Sequence, residues 1–243
     1  MVKLDILAFG SHPDDIELGC GGTLVSHVKK GKKVGLIDLT LGELGTRGTA
    51  EIRLREAADA SRIIGAEIRE NLRMADGFFV NDEAHQKQVI RAIRKYRPEI
   101  VLCNAPTDRH PDHGRGGALV KQAAFLSGLR RIETENEDGT AQTPWRPKAV
   151  YHYIQFYDLN PGFLVDISDV MDIKIASYQA HKSQFFDPES KEPATLISQP
   201  GFLDNIKGRA TYFGQYIHAK YAEGFVLDSY LGVDNLFDIK TLF

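Results

Sequence analysis

In the first half of the chain, short apolar runs alternate with segments in which apolar residues recur at helical spacing. Short apolar runs predict buried strands at residues 4–9, 34–41, 68–74 and 100–103. Between them, apolar residues at helical spacing predict helices at residues 23–30, 51–64, 82–96 and 116–125. Because strand and helix alternate, the pattern predicts an α/β, Rossmann-like fold, in which a mostly parallel sheet carries helices on both faces.

The second half of the chain is less regular. Strands are predicted at residues 150–156 and 163–167, and helices at residues 170–180 and 205–222. Residues 134–147 form a polar stretch, and residues 188–200 have no clear period. The polar stretch is too short to establish a boundary, so we expect one domain over residues 1–243.

Composition and charge exclude several classes of partner. The hydrophobic fraction of 42% and the charged fraction of 26% are those of an ordinary globular protein. The 33 acidic residues against 30 basic ones give a net charge of -3, which provides no basic field for nucleic acid or an anionic membrane. No apolar run approaches the roughly 18 residues of a membrane span. We therefore expect neither nucleic acid nor membrane as a partner.

Cysteine usage and the N-terminus both indicate a cytoplasmic protein. The two cysteines, Cys20 and Cys103, are too few for a disulfide framework and form no Cys-x-x-Cys zinc site. An acidic residue appears as early as Asp5, and no apolar signal-peptide core precedes it. A reduced, cytoplasmic setting is therefore expected.

The candidate chemistry lies in two clusters, each directly after a predicted strand. The first cluster consists of His12, Asp14 and Asp15, and the second of His110, Asp112 and His113. In a doubly wound sheet, the loops at the carboxyl ends of the strands meet where the strand order reverses. If the two strands are neighbours, the clusters face each other across one crevice.

The residue types in these clusters fit a hydrolytic metal centre. Such a centre uses about three nitrogen or oxygen ligands and keeps one position open for water, and His12, Asp15 and His113 could supply them. The metal would lower the pKa of its water from about 15.7 towards about 7. Asp14, next to a ligand, is the candidate general base.

The second cluster could also assist the leaving group. A protonated His110 could stabilise an oxyanion or protonate a leaving amine. Asp112 could orient His110 by accepting a hydrogen bond from a ring N–H. Together with the metal ligands and Asp14, these residues predict a metal-dependent amide hydrolase.

Other interpretations remain open at this point. A single His-Pro-Asp or Asp-Asp turn is common, because these residues suit turns. His12 and Asp14 with a distant histidine also fit the facial triad of non-haem iron oxygenases. A non-catalytic sugar-binding module is a third interpretation. The glycines Gly19, Gly21 and Gly22 lack the G-x-G-x-x-G spacing, which favours close helix packing over phosphate binding.

The two motifs together resemble the LmbE-like (PIG-L) N-acetylglucosamine deacetylase family. The resemblance rests on His12-Pro-Asp-Asp15 and His110-Pro-Asp-His113. It extends to Gly-Cys-Gly-Gly after the first motif, Gly-Glu-Leu-Gly-Thr-Arg-Gly-Thr at 42–49, Arg53 and His181-Lys-Ser-Gln184. It implies a zinc-dependent enzyme that releases acetate from an N-acetylglucosamine conjugate. Length and motif positions are most similar to the bacillithiol branch, which acts on N-acetylglucosaminyl malate.

The resemblance also assigns roles to individual residues. It implies a metal, Zn²⁺ or alternatively Fe²⁺, bound by His12, Asp15 and His113. It implies Asp14 as base, His110 as the electrostatic or acid residue, and Asp112 as the partner of His110. Arg53 resembles a substrate-contacting arginine. Arg109 suits a substrate carboxylate or, equally, a surface ion pair. A homo-oligomer, of which a hexamer is one form, is also implied, while another glycoside or thiol conjugate stays open as the substrate.

Overall fold

The computed structural model describes residues 2–185 and 188–239, which form a single sheet flanked by helices. The strands are β1 (Ile6–Gly10), β2 (Val34–Thr40), β3 (Ile68–Met74), β4 (Ile100–Asn104), β5 (Ala149–Tyr153), β6 (Phe163–Asp166) and β7 (Ala222–Leu227). The helices are α1 (Asp15–Lys29), α2 (Ala50–Ile64), α3 (Glu83–Tyr96), α4 (Pro111–Leu126), α5 (Met171–Gln179) and α6 (Phe202–Gln215). In the described ranges, no helix combines the length and the apolar character that crossing a membrane requires.

The sheet has the order β3-β2-β1-β4-β5-β7-β6. The five neighbouring strands β3, β2, β1, β4 and β5 run parallel, whereas β7 pairs antiparallel with both β5 and β6. The predicted α/β, mostly parallel sheet is confirmed. The strand order reverses between β1 and β4, which pair directly, with Ala8 opposite Leu102. This is the position at which doubly wound folds bind their ligands.

Both faces of the sheet are covered, as the apolar runs predict. Ile6 and Ala8 of β1 belong to the core that α1, α5 and α6 cover on one face. Leu7 and Phe9 belong to the core under α3 and α4 on the other. Because successive side chains of a strand point to opposite faces, a strand covered on both sides is apolar throughout.

Helices α1 and α4 begin earlier than the sequence pattern predicts, at Asp15 and Pro111 instead of residues 23 and 116. Glycines within the first two turns of each helix hide the apolar period. Packing requires Gly19 of α1, since a Cβ there would lie 2.1 Å from Cδ2 of Tyr153. Asp15, Asp112 and His113 therefore lie in the first turns of these helices, whereas His12, Asp14 and His110 precede them.

The prediction of one helix over residues 205–222 was wrong. Helix α6 ends at Gln215, and the chain then turns and enters β7. The amides of Ile217 and Ala219 both donate to the carbonyl of Gly214, and His218 has a φ of 49°. The left-handed conformation of His218 prevents the helix from continuing. The short strand that follows contains Glu223 and Gly224, which weaken its apolar pattern.

Candidate active site

The two sequence clusters meet at the carboxyl ends of β1 and β4. Ring centroids are 4.6 Å apart for His12 and His110, 5.5 Å for His12 and His113, and 5.3 Å for His110 and His113. These residues, Asp14 and Asp15 line one cavity of about 530 Å³. The expectation that the clusters face each other is confirmed, because β1 and β4 are neighbours.

Buried hydrogen bonds join the two loops. The Ser11 amide donates to Oδ1 of Asn104 at 2.9 Å, and the Ser11 hydroxyl donates to the carbonyl of Asp112 at 2.9 Å. Within the first loop, the His12 amide donates to Oδ2 of Asp15 at 3.0 Å. The relative position of the clusters is thus fixed by contacts that do not involve the imidazoles.

Three of the predicted ligands lie together around the carboxylate of Asp15. Nδ1 of His12 is 3.5 Å from Oδ2 of Asp15, and Nε2 of His113 is 3.1 Å from Oδ1. The same carboxylate accepts hydrogen bonds from Asn104 at 3.1 Å and Gln155 at 2.7 Å, which hold it in place. This geometry brings together the two imidazoles and one carboxylate that a divalent metal centre uses.

The other nitrogen of each of these histidines contacts a carboxylate. Nε2 of His12 lies 3.1 Å from Asp76 and 3.3 Å from Asp112, and Nδ1 of His113 lies 2.8 Å from Asp108. Carboxylates in this position fix the tautomer and the ring orientation of histidine ligands. Two other groups have donor atoms that all lie within 4.8 Å of one another: His12 with His110 and His113, and His12 with Asp76 and Asp112.

The pocket stabilises positive charge. Burial alone would lower the pKa of His12, but contacts with Asp112, Asp15 and Asp76 raise it well above 6.5. Burial likewise opposes protonation of His113, while Asp15 and Asp108 raise its pKa to about 9. The carboxylates respond in the opposite direction, and despite burial the pKa of Asp76 falls to about 2 beside His12. A donor set with this excess of negative charge fits a divalent cation.

Asp14 occupies a strained position between β1 and α1. Its φ is 127°, in the region that favours glycine, and it is the residue that precedes α1. Burial raises the pKa of its carboxyl, against the opposing effect of Arg53. Arg53 donates to the carbonyl of Pro13 at 2.9 Å and lies 3.5 Å from Oδ2 of Asp14. Although Arg53 lines the cavity, it is only 4% exposed, so its observed contacts brace the turn.

The surroundings of His110 favour its neutral form, in contrast to the protonated imidazole considered from the sequence. It caps the N-terminus of α4, where its Nδ1 accepts from the backbone amide of Asp112 at 3.3 Å. Burial, together with the charges of His12 and His113, lowers its pKa. Since Nδ1 accepts, Nε2 carries the proton and can donate.

The expected contact between the Asp112 carboxylate and a ring N–H of His110 was wrong. That carboxylate lies against Nε2 of His12 and accepts from the amide of Gly77 at 2.8 Å and from Arg115 at 2.8 Å. The reason is the helical turn at 110–113, which presents the backbone amide of Asp112, and not its side chain, to His110. Asp112 therefore orients His12.

Arg109 is exposed at the rim of the cavity. Its guanidinium lies 5.4 Å from the centroid of the Phe156 ring, and its backbone amide donates to Asp108. In the described part of the chain, no carboxylate forms an ion pair with its side chain. The surface ion pair considered from the sequence is thus not present among these residues.

The sequence pattern missed Asp76, Asn104, Asp108 and Gln155, although all four touch the proposed ligands. All four share one position in the fold: they end or follow β3, β4 and β5 on the same edge of the sheet. Polar residues at the carboxyl end of every parallel strand were the available indication.

Comparisons with known proteins identify the family of this chain. The model of the family described as "PIG-L: GlcNAc-PI de-N-acetylase" matches residues 7–124, which include both clusters. A diacetylchitobiose deacetylase from Thermococcus kodakarensis is 31% identical over 229 residues, covering 90% of this chain and 81% of the relative.

Two solved structures extend the likeness over nearly the whole chain. The conserved protein TT1542 from Thermus thermophilus is 37% identical, with a TM-score of 0.83 over 95% of this chain and 98% of the other. An N,N'-diacetylchitobiose deacetylase from Pyrococcus horikoshii is 25% identical, with a TM-score of 0.78 over 98% of this chain and 86% of the other. On sequence and fold together, this chain belongs to the PIG-L (LmbE-like) deacetylase family.

Proposed function

We propose that this protein hydrolyses the acetamide of an N-acetylglucosamine conjugate, with N-acetylglucosaminyl malate as its substrate. The observation that carries the proposal is the arrangement of one cavity, in which Asp14 and a neutral His110 adjoin His12, Asp15 and His113. The named relatives that act as deacetylases support the reaction class. A sugar-binding module would need neither a strained carboxylate nor a fixed imidazole donor.

His12, Asp15 and His113 would hold the metal, for which we propose Zn²⁺, with Fe²⁺ as the alternative that the same donors accept. When bound, such a metal supplies Lewis acidity and lowers the pKa of water. The donors fit because Asn104 and Gln155 hold Asp15, while Asp76, Asp112 and Asp108 hold the imidazoles. The ligand positions are thus preorganised by this chain.

Asp14 and His110 have complementary tasks in the proposed reaction. Asp14 accepts a proton from the attacking water, whose oxygen bonds to the acetamide carbon. Nε2–H of His110 donates to the carbonyl oxygen as negative charge develops there. The C–N bond then breaks, and the proton held by Asp14 passes to the leaving nitrogen. The products are acetate and the free amine.

The malate part of the proposal rests on Arg109 and on the cavity size. A volume of about 530 Å³ lies in the range of small-molecule sites. Arg109 presents its guanidinium at the rim, and the planar fork of arginine pairs well with carboxylates. A sugar whose acetamide reaches Asp14 can therefore extend its anionic aglycone towards Arg109.

Acetate release is the direct test. Purified protein is incubated with N-acetylglucosaminyl malate, diacetylchitobiose and an N-acetylglucosaminyl inositol, and acetate and free amine are quantified. We expect the malate conjugate to be hydrolysed with the highest kcat/KM. A chelator should abolish turnover, and Zn²⁺ or Fe²⁺ should restore it.

His113→Ala serves as the matched control, because it should lose both bound metal and turnover while the fold is kept. If no conjugate releases acetate at high enzyme concentration with metal present, the deacetylase proposal is wrong. Oxygen consumption with a 2-oxo acid in the same preparation would instead favour the oxygenase. Preference for another conjugate would reject malate alone.

A further inference from the structure

A second cavity adjoins the catalytic one. It has a volume of about 470 Å³ and shares Gln155 and Leu196 with the wall of the catalytic cavity. Gln155 donates to Oδ1 of Asp15 at 2.7 Å, so this wall directly touches a proposed metal ligand. The two cavities thus meet at Gln155 and Leu196.

Arg209 of α6 lines this second cavity and is half-buried. Its Nη2 donates to the carbonyl of Phe156 at 2.7 Å. A guanidinium has five N–H donors, so this bond leaves most of them for other partners. Among residues 2–185 and 188–239, no carboxylate forms an ion pair with Arg209. Burial lowers the pKa of Arg209, against the through-space effects of Asp108 and Asp158.

Asp108, in the loop that follows β4, does not supply a counter-ion for Arg209. Oδ2 of Asp108 is 2.8 Å from Nδ1 of His113, and its Oδ1 accepts from the amides of Arg109 at 2.8 Å and Tyr157 at 3.1 Å. Asp204, the acidic residue of the second cavity, is exposed, so water screens its charge. A partly desolvated guanidinium in this setting is suited to an anion from outside the chain.

Two arginines, one from the lining of each cavity, contact Phe156. Arg109 lies over the ring of Phe156 and lines the catalytic cavity, whereas Arg209 binds the carbonyl of Phe156 and lines the second cavity. Each cavity therefore has in its lining an arginine that contacts Phe156. Such a pair matches a ligand with two carboxylates better than a neutral one.

We propose that the cavity beyond Leu196 is an aglycone subsite in which Arg209 binds a carboxylate of the substrate. This inference rests on the proposed function and deepens it. It assigns to the enzyme substrates whose aglycone is a dicarboxylate, with one carboxylate at Arg109 and the other at Arg209. Arg209 does not touch the acetamide and so contributes to binding and not to the chemical step.

The test compares three substrates that differ in the charge of the aglycone: N-acetylglucosaminyl malate, its dimethyl ester and the methyl glycoside of N-acetylglucosamine. Arg209→Gln should raise KM for the malate conjugate by roughly tenfold or more and leave kcat nearly unchanged. KM for both neutral substrates should stay constant. Arg209→Lys should recover part of the loss, and Lys207→Gln on the same helix should behave like wild type.

Two readouts keep the inference distinct from the proposed function. If Arg209→Gln changes all three substrates equally, or none, the subsite is wrong although the deacetylase proposal stands. If wild type hydrolyses none of the three, the proposed function itself fails. Calorimetry with free malate is independent of turnover, and unchanged binding in a folded Arg209→Gln variant would also overturn the subsite.

Discussion

Asp14 is held in an unfavourable backbone conformation at the position where the proposed reaction uses its carboxylate. A φ of 127° on a residue with a side chain costs of order 1–3 kcal/mol. The strain is maintained because Asp15 binds the His12 amide and Arg53 binds the Pro13 carbonyl on either side of it. The turn therefore aims the carboxylate into the cavity at the expense of stability.

Replacing Asp14 by Gly and by Ala separates strain from chemistry. Both variants lack the carboxylate and lose its attraction to Arg53, so we expect both to lose about 10²–10⁴ in kcat. Only Gly relaxes the backbone, so Asp14→Gly should be more stable than Asp14→Ala by about 1–3 kcal/mol in urea unfolding. Equal stabilities would show that the turn is unstrained, and normal turnover in either would exclude Asp14 as the base.

At this scale, the sequence predicted the residues that lie inside the two motifs but not their partners. His12, Asp15 and His113 were identifiable because they share two short segments after apolar runs. Asp76 lies far from both motifs along the chain, at the end of β3, and only the sheet order brings it to His12. The contact of Asp112 with His12 instead of His110 depends on where α4 begins, which the glycines concealed.

Helix α1 contains a break that a distant ion pair fills. Cys20 is non-helical, with φ −142° and ψ 15°. Lys174 donates to the carbonyl of Leu18 at 2.8 Å, and Glu223 accepts from the amides of Gly22 at 2.9 Å and Thr23 at 2.7 Å. Lys174 and Glu223 also pair with each other in the interior. Their charges thus satisfy the backbone groups that the break exposes.

Glu223→Gln should destabilise the protein by about 3–5 kcal/mol, because the charge of Lys174 stays buried without its partner. Urea unfolding monitored by circular dichroism measures this difference. The double variant with Lys174→Met removes both charges and should recover part of the loss, which a double-mutant cycle quantifies. If the single variants are additive, the pair does not act as a unit.

Helices and strands were predictable from the sequence where one hydrophobic period extends over the whole element. Strand β3 has the predicted bounds Ile68–Met74, and α3 differs only by its N-cap, Asp82. The failures lie where the chain departs from a single period, at the glycines of α1 and α4 and at the left-handed His218 between α6 and β7. Local patterns do not contain that information.

Across the whole molecule, the site is connected to the far side of β5 through His152. This buried side chain contacts the carbonyl of Asn104 at 2.7 Å through Nδ1 and Asp228 at 2.9 Å through Nε2. Burial opposes its charge, but Cys103, the Asn104 carbonyl and Asp228 raise the pKa of His152 to about 10. Lys121 forms an ion pair with the other oxygen of Asp228.

The raised pKa of His152 predicts a loss of stability in alkali. Its ordinary value is 6.5, so its contribution is fully present below pH 6.5 and is lost as the pH rises through about 10. We expect the free energy of unfolding of wild type to fall between pH 6.5 and 10 more steeply than that of His152→Gln. Asp228→Asn should be intermediate. Parallel pH profiles for wild type and His152→Gln would contradict the assignment.

The pairing of β1 with β4 also sets when the site can exist during synthesis. Ser11 and Asn104, which join the two loops, are 93 residues apart in the chain. A ribosome that adds about 5–20 residues per second exposes the first loop many seconds before the second. A metal ion that met the nascent chain in that interval would find His12 and Asp15 without His113. If the proposed metal needs all three ligands, it would bind only after β4 has docked, and only chains folded through α4 would compete for the ion.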